Sequence, residues 1–243
     1  MQLRTRIDQA TKLADVVLTP GGLRSLTRAK PRSLSAFRLV SQVGERCGAP
    51  GTVIDVGANK GQFSRAAAMA FPGARIIAFE PQAEVAAVWR RNLADVPDAE
   101  VHACALGAEP GTVTFHPHEY SLSSSVLPVA GSSMAAEELA PIEVPARTLD
   151  EALAGEALAG PVLLKLDVQG YELEVLRGGG RTLGQVDALV VELAFERHYE
   201  GQPLFGAVQA ELTTRGWALE LPLDVRRDGS GALVEMDGLF LPV

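Results

Sequence analysis

Residues 53–64 read VIDVGANKGQFS. An apolar pair, Val53-Ile54, leads into an acid, Asp55, and then into Gly57, Asn59 and Gly61, where a helix is due to begin. Glycines at the end of a buried strand let a ligand approach the main chain, and Asn59 tolerates positive φ better than most residues. The pattern is D-x-G-x-N-x-G. It is neither the phosphate loop GxxxxGK[ST] nor the dinucleotide fingerprint GxGxxG. An acid just short of the helix start repels a pyrophosphate and favours a ligand with donors or positive charge.

Outward from this stretch, short apolar runs alternate with helical ones. TVIDVG (52–57), ARIIAFE (74–80), EVHACAL (100–106), VLLKLDV (162–168) and DALVVELAF (187–195) read as strands. Lys60–Phe71, Gln82–Leu93, a stretch opening at Glu172, and Leu204–Thr214 read as helices. TVTFHP (112–117), behind Glu109-Pro110-Gly111, reads as part of a hairpin. WALELPL (217–223) and ALVEMDGLFL (232–241) are separated only by DVRRDGSG, too short for a parallel crossover, so that pair is expected to be antiparallel. The fold class is therefore α/β, a mostly parallel sheet ending in an antiparallel hairpin. Residues 118–146 show no clear periodicity and read as a long loop over a binding site, with Ser121-Leu122-Ser123-Ser124-Ser125 as its centre.

Ahead of the sheet, residues 3–18 and about 33–46 carry helical spacing, the second with Ser33 as N-cap and Phe37, Val40 and Val43 on one face. Gly48-Ala49-Pro50-Gly51 divides an N-terminal helical cap (1–50) from the main domain (51–243). The cap holds nine Lys/Arg against three Asp/Glu, and the rest thirteen against twenty-seven, for a net charge of −8. That balance argues against a nucleic-acid partner. It suggests that Arg24, Arg28, Lys30 and Arg32 face an anionic acceptor, a peripheral membrane surface or a second subunit. No stretch approaches the ~18 apolar residues of a membrane span, and the first residues lack the apolar core of a secretory signal. Cys47 and Cys104 form no CxxC, so a reducing, cytoplasmic setting is expected. His116-Pro117-His118 resembles a metal clip but has no further recognisable ligands, and no metal is expected.

The second strand ends in Phe79-Glu80-Pro81, and an acid there, nineteen residues beyond Gly61, accepts both hydroxyls of a ribose. A ribose and a cationic portion without a phosphate cradle match S-adenosylmethionine, whereas NAD matches the ribose acid alone. Glu192, late in a buried strand, needs a partner or a ligand and is assigned to the acceptor site. Glu172 opens a helix whose dipole favours it, His116, His118 and His198 are possible bases, and Tyr171 and Tyr199 shape the pocket.

VIDVGANKGQFS, AFEP, LLKLDVQGYELEVLRGG (163–179) and VVELAF together resemble the FkbM family of S-adenosylmethionine-dependent methyltransferases, over about residues 50–242. The resemblance implies a Rossmann-like class I methyltransferase sheet of seven strands, six parallel and one antiparallel. It implies a cofactor loop of Asp55, Gly57, Asn59 and Gly61, Glu80 on the ribose, and Ala105-Leu106 beside the adenine. It also implies O-methylation of a small hydroxylated acceptor: a metabolite, a sugar or glycolipid, or a polyketide-like product. Asp167, at the end of its strand, is the expected catalytic residue, orienting or deprotonating the acceptor or helping to hold the cofactor. Gln169 stands where many members of the family carry Glu. An NAD-dependent oxidoreductase and a non-catalytic cofactor-binding module are the alternatives.

Overall fold

Val53 and Asp55 point to one face of their strand, Ile54 and Val56 to the other, and all four are buried. A strand apolar on both faces needs cover on both faces, which is the condition for a parallel sheet wrapped in helices. A computed structural model describes residue 31, residues 33–131 and residues 139–243. The helix expected over 3–18 and the basic residues Arg24, Arg28, Lys30 and Arg32 lie outside the described residues.

In chain order the elements are α1 (Leu34–Cys47), β1 (Thr52–Val56), α2 (Gln62–Ala70), β2 (Arg75–Phe79), α3 (Ala83–Asn92), β3 (Ala99–His102), β4 (Ala105–Leu106), β5 (Gly111–Phe115) and β6 (Ile142–Arg147). They continue with α4 (Leu149–Ala152), β7 (Val162–Leu166), α5 (Glu172–Arg177), α6 (Gly180–Leu183), β8 (Ala188–Ala194), α7 (Phe205–Thr214), β9 (Trp217–Arg227) and β10 (Leu233–Pro242). The main sheet has seven strands in the order β3-β2-β1-β7-β8-β10-β9, and β10 runs antiparallel to both of its neighbours. The expected α/β sheet with one antiparallel strand is therefore present.

Two apolar layers sandwich the sheet. Ile54, Val56, Leu164, Leu166, Leu189 and Val191 pack on one side with α5 and α7. Val53, Leu163, Val190 and Leu239 pack on the other with α1, α2 and α3. Ser33 caps α1 by accepting from the Ala36 N–H at 3.1 Å, and Phe37, Val40 and Val43 are buried as expected. The helix thus shares the core of the sheet rather than standing apart from it. No helix among the described residues is long and apolar enough to cross a membrane.

Two expectations are corrected. EVHACAL is two strands, because Ala105-Leu106 leaves the main sheet to pair with β6. The stretch 118–146 is not all loop: Ile142–Arg147 pairs antiparallel with β5, completing a three-stranded sheet in the order β4-β6-β5. The inward residues of β6 are Val144 and Ala146, and Pro145 in their midst disguised the alternation. Both changes build a wall beside the carboxyl ends of β1 and β2.

Candidate active site

A cavity of about 570 Å³, its open mouth included, lies over the carboxyl ends of β1, β2 and β7. Gly57, Asn59, Glu80, Ala105, Leu106 and Asp167 all line it. Six of the eight residues assigned to the cofactor from sequence are thus brought together, and the other two, Asp55 and Gly61, are not.

Glu80 is held from both sides. Its Oε2 accepts the Asn59 N–H at 3.0 Å and its Oε1 the Gln82 N–H at 2.9 Å. Burial pushes its carboxyl up to about 7, against the pull of those two main-chain donors and with help from the charge of Asp55. Each oxygen keeps a further lone pair, the arrangement that receives two vicinal hydroxyls. Beside it, Phe79, Leu106, Phe115 and Val126 make an apolar slot closed by Tyr171. The Phe79 ring is itself fixed by stacking on His102, with centroids 5.1 Å apart. Among the described residues, the charged ones lining the cavity are Glu80 and Asp167, and no Lys or Arg lines it to hold a phosphate.

Asp55 lies beneath this cavity. It is fully buried, takes a hydrogen bond from Ser64 Oγ at 2.5 Å, and sits 3.7 Å from Lys165 Nζ. Ser64 in turn accepts from Trp89 Nε1 at 3.0 Å. Burial raises the Asp55 carboxyl, and Lys165 and Ser64 offset part of that rise. Asp55 thus braces the floor beneath the loop and does not itself line the cavity. The glycines also serve the packing of the loop. A Cβ on Gly57 would lie 1.8 Å from the Asp167 carbonyl oxygen, and one on Gly61 2.6 Å from Leu93 and 2.9 Å from Trp89. Both have positive φ, 79° and 91°. Their missing side chains let the loop cross β7 and seat α2 on α3.

Asp167 is the centre of a polar chain. Lys165 Nζ donates to its Oδ2 at 2.9 Å, and Gln169 Nε2 donates both to its Oδ1 at 2.9 Å and to Glu192 Oε2 at 2.6 Å. Burial pushes the Asp167 carboxyl up, but the Lys165 charge and the bonds from Lys165, Gln169 and Glu192 outweigh it and hold the group below the ordinary value. Glu192 goes the other way, pushed well up by burial and by the charge of Asp167. The two carboxyls are therefore pushed in opposite directions. Lys165 stays firmly charged, because Asp167 and Asp55 outweigh its own burial. Tyr199 Oη lies 2.9 Å from Gln169 Oε1 and from the Ser123 carbonyl, linking this chain to the serine loop.

The serines dock that loop. Ser121 Oγ donates to Asn59 Oδ1 at 3.1 Å while Asn59 Nδ2 donates to the Ser121 carbonyl at 2.8 Å. Ser124 Oγ accepts the His118 N–H at 3.0 Å, and Ser125 Oγ donates to the Gln169 carbonyl at 2.7 Å. Glu172 is structural in its contacts: its Oε1 accepts the N–H groups of Val168 and Gly170, both at 3.1 Å, and fixes the turn after β7. Among the described residues no group of three or more His, Cys, Asp or Glu converges to hold a metal ion. Sequence reasoning missed Ser64, Phe115 and Asp237. Only Asp237 carried a usable signal, an acid inside the apolar strand VEMDGLF.

This sheet order, with an acid at the end of β2, is that of the class I methyltransferase fold. Magnesium protoporphyrin IX methyltransferase from Synechocystis, solved with bound S-adenosylmethionine, shares it: TM-score 0.50 and 12% identity, covering 86% of this chain and 78% of that one. The profile of the methyltransferase FkbM domain matches residues 55–217, and the chain belongs to that family. It is similar to the 2-O-methyltransferase NoeI of Sinorhizobium fredii, 27% identical over 217 residues, 85% of this chain and 89% of that protein. It is also similar to Methyltransferase 1 of Beauveria bassiana, 28% identical over 185 residues, 69% and 72% of the two chains. The chain is therefore a methyltransferase by family and by fold, and the oxidoreductase alternative is set aside.

Proposed function

We propose that the protein transfers a methyl group from S-adenosylmethionine to a hydroxyl oxygen of a small acceptor, of the sugar, glycolipid or polyketide-like kind. The observation that carries the cofactor is Glu80: a carboxylate gripped by two main-chain N–H groups, with free lone pairs at the edge of an apolar slot. A nucleoside without phosphates suits a cavity that, among the described residues, is lined by two acids and by no Lys or Arg. Glu80 would hold the ribose, Phe79, Leu106 and Phe115 the adenine, and the main chain at Gly57 would lie against the amino-acid tail. Bound there, the cofactor supplies an electrophilic methyl group on a cationic sulfur.

The remaining work falls to the chain. Asp167 stays ionised beside Lys165 and presents an acceptor-only group to a hydroxyl. A carboxylate held below its ordinary value is a weak base, so it aligns the hydroxyl first. It takes the proton only as the oxygen becomes acidic on bonding to carbon. Glu192, its carboxyl pushed up by burial, steadies Asp167 through Gln169. The preference for oxygen is supported by the relative named as a 2-O-methyltransferase. The test is to incubate the protein with deuterium-labelled S-adenosylmethionine and a panel of hydroxylated metabolites, and to seek labelled methyl ethers by mass spectrometry. Transfer only to nitrogen or carbon acceptors would overturn the choice of oxygen.

A further inference from the structure

A second chamber of about 650 Å³ opens on the other side of Asp167. It shares Gly57, Asn59, Leu122 and Asp167 with the first cavity, so the two meet at the carboxylate that ends β7. Its outer wall is the first turn of α1, and its floor is the sheet at Lys165 and Asp237. Asp237 faces Glu192 across the β8–β10 ladder, which places it beside the Asp167–Gln169–Glu192 chain. With its open mouth included, its volume falls in the range of small-ligand sites.

Its chemistry is specific. Among the described residues that line it, the polar groups are carboxylates (Asp167, Asp237), hydroxyls and amides, and the one cation is already committed. Lys165 Nζ is bonded to Asp167, lies 3.7 Å from Asp55, and sits 5.4 Å from the centre of the Phe63 ring. Among the described residues of the lining, nothing is left to neutralise an anionic acceptor. Gln62 adds a buried side-chain oxygen with no hydrogen-bond partner, on a residue of the chamber wall. A buried acceptor without a donor is costly, and a ligand hydroxyl relieves it.

We propose that this chamber is the acceptor subsite, and that it takes a neutral, hydroxyl-rich ring of the saccharide type, oriented by Asp237 and Gln62 with one hydroxyl toward Asp167. The proposal rests on the methyltransferase reading above and adds the location, charge and hydroxyl content of the acceptor. Carboxylates and an amide oxygen accept from several hydroxyls at once, while Leu39, Phe63 and Leu122 cover the ring's apolar face. Within the described lining, an acidic sugar would meet Asp167 and Asp237 with only the committed Lys165 beside them.

The test uses full-length protein saturated with S-adenosylhomocysteine, and saturation-transfer NMR with the methyl pyranosides of glucose, galactose and mannose and their uronates. Wild-type protein should transfer saturation to at least one neutral glycoside, and about fivefold less or not at all to the matching uronate. Ala36→Trp, which fills the chamber from α1, should abolish the transfer, and Asp237→Asn should weaken it about tenfold. Both variants should keep the wild-type melting shift with S-adenosylhomocysteine. Equal transfer to uronates, transfer undiminished in both variants, or no transfer to any glycoside by protein that binds S-adenosylhomocysteine overturns the proposal alone. Loss of the melting shift in both variants overturns it by giving the chamber to the cofactor tail. Wild-type protein without any melting shift overturns the parent reading and the proposal with it. Should Ala36→Trp fail to fold, Asp237→Asn and the uronate comparison decide.

Discussion

Replacing Lys165 by methionine removes the one cation between Asp55 and Asp167 while keeping most of the side-chain volume. The ammonium stands 2.9 Å from Asp167 and 3.7 Å from Asp55, and the Asp55 side chain has no exposure to water. Breaking a buried pair by deleting one partner costs about 3–5 kcal/mol, because the stranded charge stays buried. The fold escapes part of that cost by protonating Asp55, whose carboxyl burial already raises and Lys165 restrains. The sign follows: the folded variant then binds a proton that the unfolded chain has released above about pH 4. The deficit against wild type is therefore small near pH 4–5, grows as pH rises, and levels off above the folded value. Urea unfolding followed by fluorescence of the buried Trp89 measures it at pH 5 and pH 8. Asp55→Asn in the same chain should recover about half or more of the loss at pH 8. A deficit below about 1 kcal/mol at pH 8, or equal deficits at the two pH values, refutes the reasoning.

Three other outcomes follow from the geometry. Gly57→Ala puts a Cβ 1.8 Å from the Asp167 carbonyl oxygen at a φ of 79°, so a stability loss of about 4 kcal/mol or more is expected, read as a melting point lower by about 10 °C. Gln169→Glu sets a third carboxyl between Asp167 and Glu192 in place of the amide that donates to both. The variant should be about 1–3 kcal/mol less stable at pH 8 and recover toward pH 5 as the new acid takes up a proton, measured by denaturant titration at the two pH values. S-adenosylhomocysteine should slow amide exchange across residues 116–127, held by Ser121, Ser124 and Ser125, and leave the β9–β10 hairpin unchanged; mass-detected hydrogen exchange checks this.

The main sheet was legible because its strands are apolar on both faces and its helices repeat at 3.6 residues, so the period alone separates them. The final hairpin was legible from the shortness of its connection. The small sheet was not. Its strand β6 has exposed residues at its outward positions and a proline at its centre, so alternation was masked. At the site, acids at strand ends were readable as a class, and Glu80, Asp167 and Glu192 lie where strand ends placed them. Their roles were less readable, because a sequence does not show what lies across a turn. Asp55 is also a buried brace between Ser64 and Lys165, which the sequence did not show. Gly57 lines the cavity and also makes room for the carbonyl of Asp167, a contact between segments 110 residues apart. Gln169 looked like a missing acid and is the amide that joins two acids.

The central claim is that Glu80 grips the ribose of a phosphate-free nucleoside. Calorimetric titration of S-adenosylhomocysteine into wild-type protein and Glu80→Gln, at pH 6 and pH 8, tests it most directly. The free carboxyl lies at about 7 and its ionised form is the better acceptor. Wild-type affinity should therefore rise with pH across this window, while Glu80→Gln binds about ten- to hundredfold more weakly at pH 8 and shows little dependence on pH. Equal affinity for wild type and Glu80→Gln at pH 8, or tighter binding of NADH than of S-adenosylhomocysteine, would contradict the account.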